Sequence, residues 1–362
     1  MKDILPELNN KDYITKLNED YDIHFCKECE VEELVEFIDT YWRKGHIFVL
    51  SRALLDWQHY DRQNHRYNFV LAKHKGTNEI HSILGFVPTY QFDNDITNAE
   101  VWPCIWKSRD DVHVKGLGVS LYYYLKSNID IETISILGIS EIALGIYKHW
   151  NFSTGKIDHF YMPNDEIEEY ISKNRHYDRN NYSKSDDWSI KYISKNEYDT
   201  LDPAAVPFTK ISKYKSKQFY VNRYFLHPIY NYEMIAIQKN KTVSSILIVR
   251  ECKADDRKCL RIVDYIGDVG DLAHITYELR QLMKNKNYEY IDFIIVGVSH
   301  ETLRKAGFIN RKEDESTIIP NYFEPFVRQN VDLDYAFKTV DDTLKPLFFK
   351  ADADQDRPNM LP

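Results

Sequence analysis

The chain has 362 residues, more than one typical core needs, so two domains are expected. Apolar residues make up 43% and charged residues 28%, the balance of an ordinary globular protein. With 47 basic against 56 acidic residues the net charge is −9, which excludes a general nucleic-acid binder; an anionic ligand has to be held locally, by backbone N–H groups or a few chosen cations.

The opening stretch MKDILPELNNKDYITKLNEDYD lacks the apolar core of a signal peptide. No run reaches the ~20 apolar residues of a membrane span. A cytoplasmic address with reduced cysteines follows as the expectation. YDIHFC (21–26) reads as a strand, and Val31, Leu34, Val35, Ile38 and Tyr41 then follow helical spacing. Residues 67–89 give two strands joined by Gly76-Thr77-Asn78, a hairpin signal. EVWPCIWKSR (100–109) is a third strand, in which Pro103 forces a bulge, an edge or a break.

VKGLGVSLYYYLKSN (114–128) reads as a glycine-rich turn opening a helix. Gly116 and Gly118 bracket Leu117, so the backbone can approach a bulky anion while the first helical N–H groups point at it. Lys115 adds a cation at the rim. TISILGIS (133–140) is a buried strand, and a helix carrying Ala143 and Tyr147 one turn apart precedes the strand KIDHFYM. Asn151 can end that helix with positive φ.

The polar stretch from Pro163 to Trp188 is a linker, after which the plan restarts. WSIKYIS is a strand, 232–252 a hairpin across Lys239-Asn240-Lys241, and CLRIVDYIGD a further strand. LAHITYELRQLMKN is a helix, YIDFIIVGV a buried strand and SHETLRKAGF a helix. The same order of elements twice over predicts two α+β domains of one topology.

These motifs carry a resemblance. The first half resembles a GCN5-related N-acetyltransferase (GNAT) domain, a family that grips acyl-CoA pyrophosphate with a Gln/Arg-x-x-Gly-x-Gly/Ala loop. Here that loop is His113-Val-Lys-Gly116-Leu-Gly118, with His113 in place of Gln or Arg. The family's later signature, Asn-x-x-Ala-x-x-x-Tyr-x-x-x-Gly-Phe, is matched from Ser140 through Ala143 and Tyr147 to Asn151-Phe152, with Ser for Asn and Asn for Gly. The resemblance implies two tandem GNAT-like domains, each a mixed, mostly antiparallel twisted sheet flanked by helices. The first (1–165) binds acyl-CoA as cosubstrate, 166–186 is the linker, and the second (187–362) presents the acceptor. It further implies that Trp106, Lys107, His113, Val114, Lys115, Gly116, Leu117, Gly118, Val119, Ser140 and Ala143 line the CoA site, and that Tyr147 protonates the departing thiolate.

An oxyanion would be held by N–H groups between Trp102 and Trp106, and Asp93, Asp95 or Glu100 could take the amine's proton. In the second half the corresponding loop is Ile266-Gly267-Asp268-Val269-Gly270-Asp271, with carboxylates where a pyrophosphate would lie, and Leu303 stands where Tyr147 does. That half is expected to keep the fold without CoA. RIVDYIGD, IIPNYFEPF and KADADQDRPN are similar to N-acyltransferases of bacterial surface-sugar pathways, such as those of the anthrose pathway acting on dTDP-4-amino-4,6-dideoxyglucose. On that resemblance Arg223, His227, Tyr230, Asn321, Tyr322, Asp356 and Arg357 contact a nucleotide-linked amino sugar. No metal, nucleic acid or membrane is called for, and the protein is expected as a monomer or small homo-oligomer. Two rivals stand beside this reading: a FemX-like aminoacyl transferase on a peptidoglycan precursor, and a non-catalytic GNAT-fold binding module.

Overall fold

Period-two apolar strands and period-3.6 helices alternate along the chain, and in the computed structural model they form two large sheets flanked by helices. Residues 17–97, 99–173, 182–203, 206–209 and 212–361 are described. The first sheet contains β1 (Tyr21–Lys27), β2 (Arg66–His74), β3 (Ile80–Pro88), β4 (Ala99–Ser108), β5 (Ile131–Leu137) and β6 (Ser153–Lys156). Its order is completed by a strand from the far end of the chain. The second sheet contains β7 (Asp158–Pro163), β8 (Trp188–Ile193), β9 (Glu233–Lys239), β10 (Thr242–Ala254), β11 (Arg257–Ile266), β12 (Tyr290–Val296) and β13 (Ile309–Asn310). Two later strands are β14 (Asp334–Thr339) and β15 (Phe348–Phe349).

The orders are β1-β2-β3-β4-β5-β14-β6 and β8-β9-β10-β11-β12-β7-β13, the same plan twice. The halves exchange one strand each. β7 lies antiparallel between β12 and β13 of the second sheet, and β14 lies antiparallel between β5 and β6 of the first. The sequence assigns KIDHFYM to the first domain and reads no strand near 334. Both placements are corrected by the pairing, because a boundary near 165 would leave each sheet one strand short. The expected linker, 166–186, includes residues 174–181, which lie outside the described residues; its described flanks carry turns and one bridge, Lys173 to Ile318.

The longer α-helices are α1 (Val31–Phe37), α2 (Arg52–His59), α3 (Leu117–Asn128), α4 (Glu141–His149), α5 (Thr276–Lys286) and α6 (His300–Lys305). Leu117, Leu121, Tyr122 and Leu125 of α3 pack on Val70, Leu84, Phe86 and Val101 of the first sheet. Leu34, Phe37, Leu54 and Leu55 of α1 and α2 cover its other face through Phe69, Leu71 and Ile83. A third core joins the halves, with Trp102, Leu137 and Phe337 packed among Phe219, Ile248, Val263 and Phe348. The two sheets are therefore buried against each other, not tethered. No helix among the described residues is long and apolar enough to cross a membrane.

Candidate functional site

Two features of β4 create an opening in the first sheet. β4 runs parallel to β5 but pairs with it only at Ala99/Ile131, Glu100/Thr133 and Val101/Ile134. Beyond Val101 the strands part, and among the described residues β4 keeps only β3 as a strand partner. Pro103 supplies no N–H, and the register against β3 jumps between Leu84/Trp106 and Phe86/Pro103. Of the three outcomes open to Pro103 the structure takes the bulge, centred on Cys104 and Ile105.

The glycine loop lies where β4 gives way to α3. Gly116 caps α3 at φ +74°, a left-handed conformation suited to glycine. Leu117 N–H returns to Val114 and Ser120 N–H to Gly116, while the amides of Gly118 and Val119 donate to no acceptor among the described residues. These are the orphan donors of a helix start, and they fit an anion. Gly118 has a second reason for lacking a side chain. A Cβ there would stand 2.9 Å from the Trp106 indole nitrogen, which donates at 3.0 Å to the Gly118 carbonyl. The glycine pattern thus admits Trp106 as well as leaving the backbone open, which the sequence reading missed. His113, Val114 and Lys115 are exposed beside the loop, and Lys107 is paired with Asp110 at 2.6 Å.

Ser140 caps α4, its hydroxyl accepting from Ala143 N–H at 3.4 Å. Tyr147, on the inner face of α4, is 2% exposed and shares a hydrogen bond with Tyr122 of α3. Trp106, Trp150 and Phe152 enclose the pair; the Trp106 and Tyr122 rings are 4.8 Å apart, those of Tyr147 and Phe152 5.1 Å. Burial pushes both phenols well above their ordinary pKa, so both hold their protons at neutral pH.

Glu100 is buried on the last paired stretch of β4 and accepts a hydrogen bond from Ser135 of β5. Burial raises its pKa to about 7, the Asp352 charge adds to the rise, and Ser135, Trp102 and Lys215 oppose it. A carboxyl poised there can take or give a proton near neutral pH. Asp93 lies on the rim of a 610 Å³ cavity lined also by Trp57, Tyr60, Tyr90 and Asp95. Its carboxylate accepts from Ser216 of the second half and from Asp95 N–H at 3.0 Å. Asp93 and Glu100 share no hydrogen bond or ion pair.

The far side of the opening is closed by the segment after β15. Gln355 donates to the Leu137 carbonyl at the end of β5 at 3.0 Å, and Asp354 and Arg357 act electrostatically on the Cys104 thiol, which burial raises. Around this segment the acceptor candidates divide in two. Arg223 donates to the Ala351 and Ala353 carbonyls at 2.6 Å each, so it anchors the segment. His227 accepts from Ile229 and Tyr230 N–H, and burial lowers its pKa to about 3. Tyr230 lies 3.9 Å under the Arg250 guanidinium and donates to Glu324 at 2.6 Å. Asp356 is held by Arg250 and Tyr232, both at 2.9 Å. All four are held by the scaffold, although Nη1 of Arg223 and Nε2 of His227 are also buried without a partner. Asn321 and Arg357 keep groups for a ligand: both side-chain polar atoms of Asn321 and Nη1 of Arg357 are buried without a partner, although Nε of Arg357 donates to Asp354 at 3.3 Å, and Tyr322 is half-buried beside Asn321.

The second half repeats the parting of strands but fills it. β11 and β12 pair in parallel only at Leu260/Ile291, Arg261/Asp292 and Ile262/Phe293. Into the gap comes β15, pairing antiparallel with Ile295 and Val296, while Ala351 N–H reaches the Val263 carbonyl at 2.9 Å. The loop beneath is also spent. The Asp268 carboxylate takes the Gly270 amide at 2.9 Å, and Asp271 takes the hydroxyls of Ser244 and Ser245 at 2.7 Å each. Among the described residues no three His, Cys, Asp or Glu side chains gather as a metal ion would require.

Among solved structures the chain is similar to a GCN5-related N-acetyltransferase from Anabaena variabilis, with a TM-score of 0.52 and 11% identity over 89% of this chain and 73% of that one. It also aligns with the N-myristoyltransferase of Saccharomyces cerevisiae with bound myristoyl-CoA, at a TM-score of 0.45 and 9% identity over 94% of this chain and 81% of that one. No protein-family model and no curated protein matches the sequence. The first likeness shows the fold, which is that of the GNAT proteins, present here as two tandem copies.

Proposed function

We propose that the protein is an acyl-CoA-dependent N-acyltransferase, with the first half binding the cosubstrate and the second half presenting an amine. The observation that carries this is the opening between β4 and β5, with the free amides of Gly118 and Val119 at one end and buried Glu100 at the other. A pantetheine arm is a narrow, amide-bearing chain, and the unpaired edges of β4 and β5 offer it strand-like hydrogen bonds. The diphosphate would rest on the start of α3 and the thioester near the bulge at Cys104. Glu100 would take the proton of the attacking amine, and the Tyr147–Tyr122 pair would supply one to the departing thiolate.

The acceptor in this reading is the amino group of a nucleotide-linked amino-dideoxy sugar, with the dTDP sugars of the anthrose type as first choice. Support comes from Asn321 and Arg357, whose buried, unpartnered groups lie on or beside the segment that closes the far side of the opening. The test is to mix the protein with several acyl-CoAs and a panel of nucleotide-linked amino sugars, amino acids and peptides, and to read products by mass spectrometry. Acylation of an amino sugar is the expected result; acylation of amino acids or peptides alone, or of nothing, would overturn the reading.

A further inference from the structure

The inner face of the second sheet, beneath residues 317–326 and 348–357, is a layer of buried ions. Arg250 pairs with Asp356 at 2.9 Å and with Glu324 at 3.5 Å, and Arg261 with Asp292 at 2.6 Å, so each guanidinium already has a carboxylate. Lys350 lies among these two pairs and is 2% exposed, yet its Nζ has no hydrogen-bond partner. Its nearest feature is the half-buried ring of Tyr322, with Nζ 5.6 Å from the ring centroid. A buried amine without an acceptor costs stability unless something compensates it. Two other buried side-chain nitrogens near Tyr322, Nδ2 of Asn321 and Nη1 of Arg357, also lack acceptors. Three donors unsatisfied in one neighbourhood, with every local carboxylate already matched, describe a place for an oxyanion.

We infer that Lys350, with Asn321 and Arg357, binds a phosphoryl group of the acceptor, entering past Tyr322. The identity of the anion rests on the acceptor reading above; the existence of the site does not. The arrangement separates the two charged parts of such a substrate. Its phosphoryl end would be held against the second sheet, while its amine is carried toward the bulge of β4. Burial and the charge of Arg261 hold the pKa of Lys350 down to about 7, with Arg250 acting in the same direction and Asp356 and Asp292 opposing. Around pH 8 the amine is mostly neutral until an anion arrives and draws a proton onto it.

Inorganic pyrophosphate is the probe, titrated calorimetrically into the whole chain, its Lys350→Met variant and a control, Lys253→Met, at an exposed site. Any pyrophosphate held by the start of α3 is common to all three and cancels in the comparison. The expected result is affinity about ten- to a hundred-fold weaker in Lys350→Met, as for one lost charge-assisted hydrogen bond, and unchanged in Lys253→Met. Equal affinity in all three would overturn the site. Should Lys350→Met fail to fold, wild-type protein is titrated with sulfate, which does not itself ionise, at pH 8 in two buffers of different ionisation heat. Uptake of up to one proton per site supports the inference, and no uptake overturns it. An intact site in a protein that acylates no amino sugar would sink the acceptor reading and leave this one standing.

Discussion

In the proposed mechanism Glu100 is the side chain on which the chemistry turns. Between about pH 4.5, its ordinary value, and about 7 the folded protein holds a proton there that the unfolded chain has released. Stability therefore falls as pH rises through that window, and Glu100→Gln is expected to flatten this part of the stability profile. The same substitution is expected to lower kcat by about 10²–10⁴-fold and to remove a rise of rate with pH near 7. A variant with normal turnover would remove Glu100 from the mechanism. For the phenol pair, Tyr147→Phe and Tyr122→Phe each strand a buried hydroxyl and should each cost about 1–3 kcal/mol in denaturant unfolding. Tyr147→Phe alone should also cut kcat by about 10²–10⁴-fold. Equal loss of kcat in both would mean the two act as one unit. Tyr147 was legible in sequence from its spacing after Ala143. Its partner was not, because Tyr122 is one of three consecutive tyrosines and only packing decides which one faces inward. Lys350 was equally hidden: a lysine between Phe349 and the acidic stretch 351–356 reads as solvated until its burial is seen.

At the scale of elements, the strands and helices around 114–152 follow the sequence closely, since glycine, cap and apolar spacing are all local signals. What the sequence could not give is the parting of β4 from β5, a property of two strands separated by a whole helix. Nor could it show that Gly118 makes room for Trp106. Gly118→Val places carbon against that indole and is expected to raise the KM for acyl-CoA at least about tenfold, as for a lost 1.4 kcal/mol of binding, with kcat at saturation less affected. An unchanged KM would detach the loop from cosubstrate binding. The filled gap in the second half follows the same logic: Asp268 and Asp271 are visible in sequence as carboxylates unsuited to an anion, whereas β15, which occupies the strand gap, lies far along the chain at Phe348–Phe349.

For the molecule as a whole, the reciprocal exchange of β7 and β14 makes the two copies one folding unit. The sequence showed the duplication and hid the exchange, because two strands of six residues carry no mark of which sheet they join. Expressed separately as 1–165 and 187–362, the halves are expected to remain unfolded by circular dichroism, each with a sheet interrupted beside its central parallel pair. Cooperative folding of either piece would contradict the role given to the exchange. The central claim is that one copy of the fold grips a cofactor while the other has closed its own gap. Calorimetric titration with coenzyme A, followed by a crystal structure of the complex, tests it most directly. The account requires one molecule per chain, with its diphosphate on Gly116–Val119 and its arm between β4 and β5; two molecules per chain, binding against Gly267–Gly270, or no binding would contradict it.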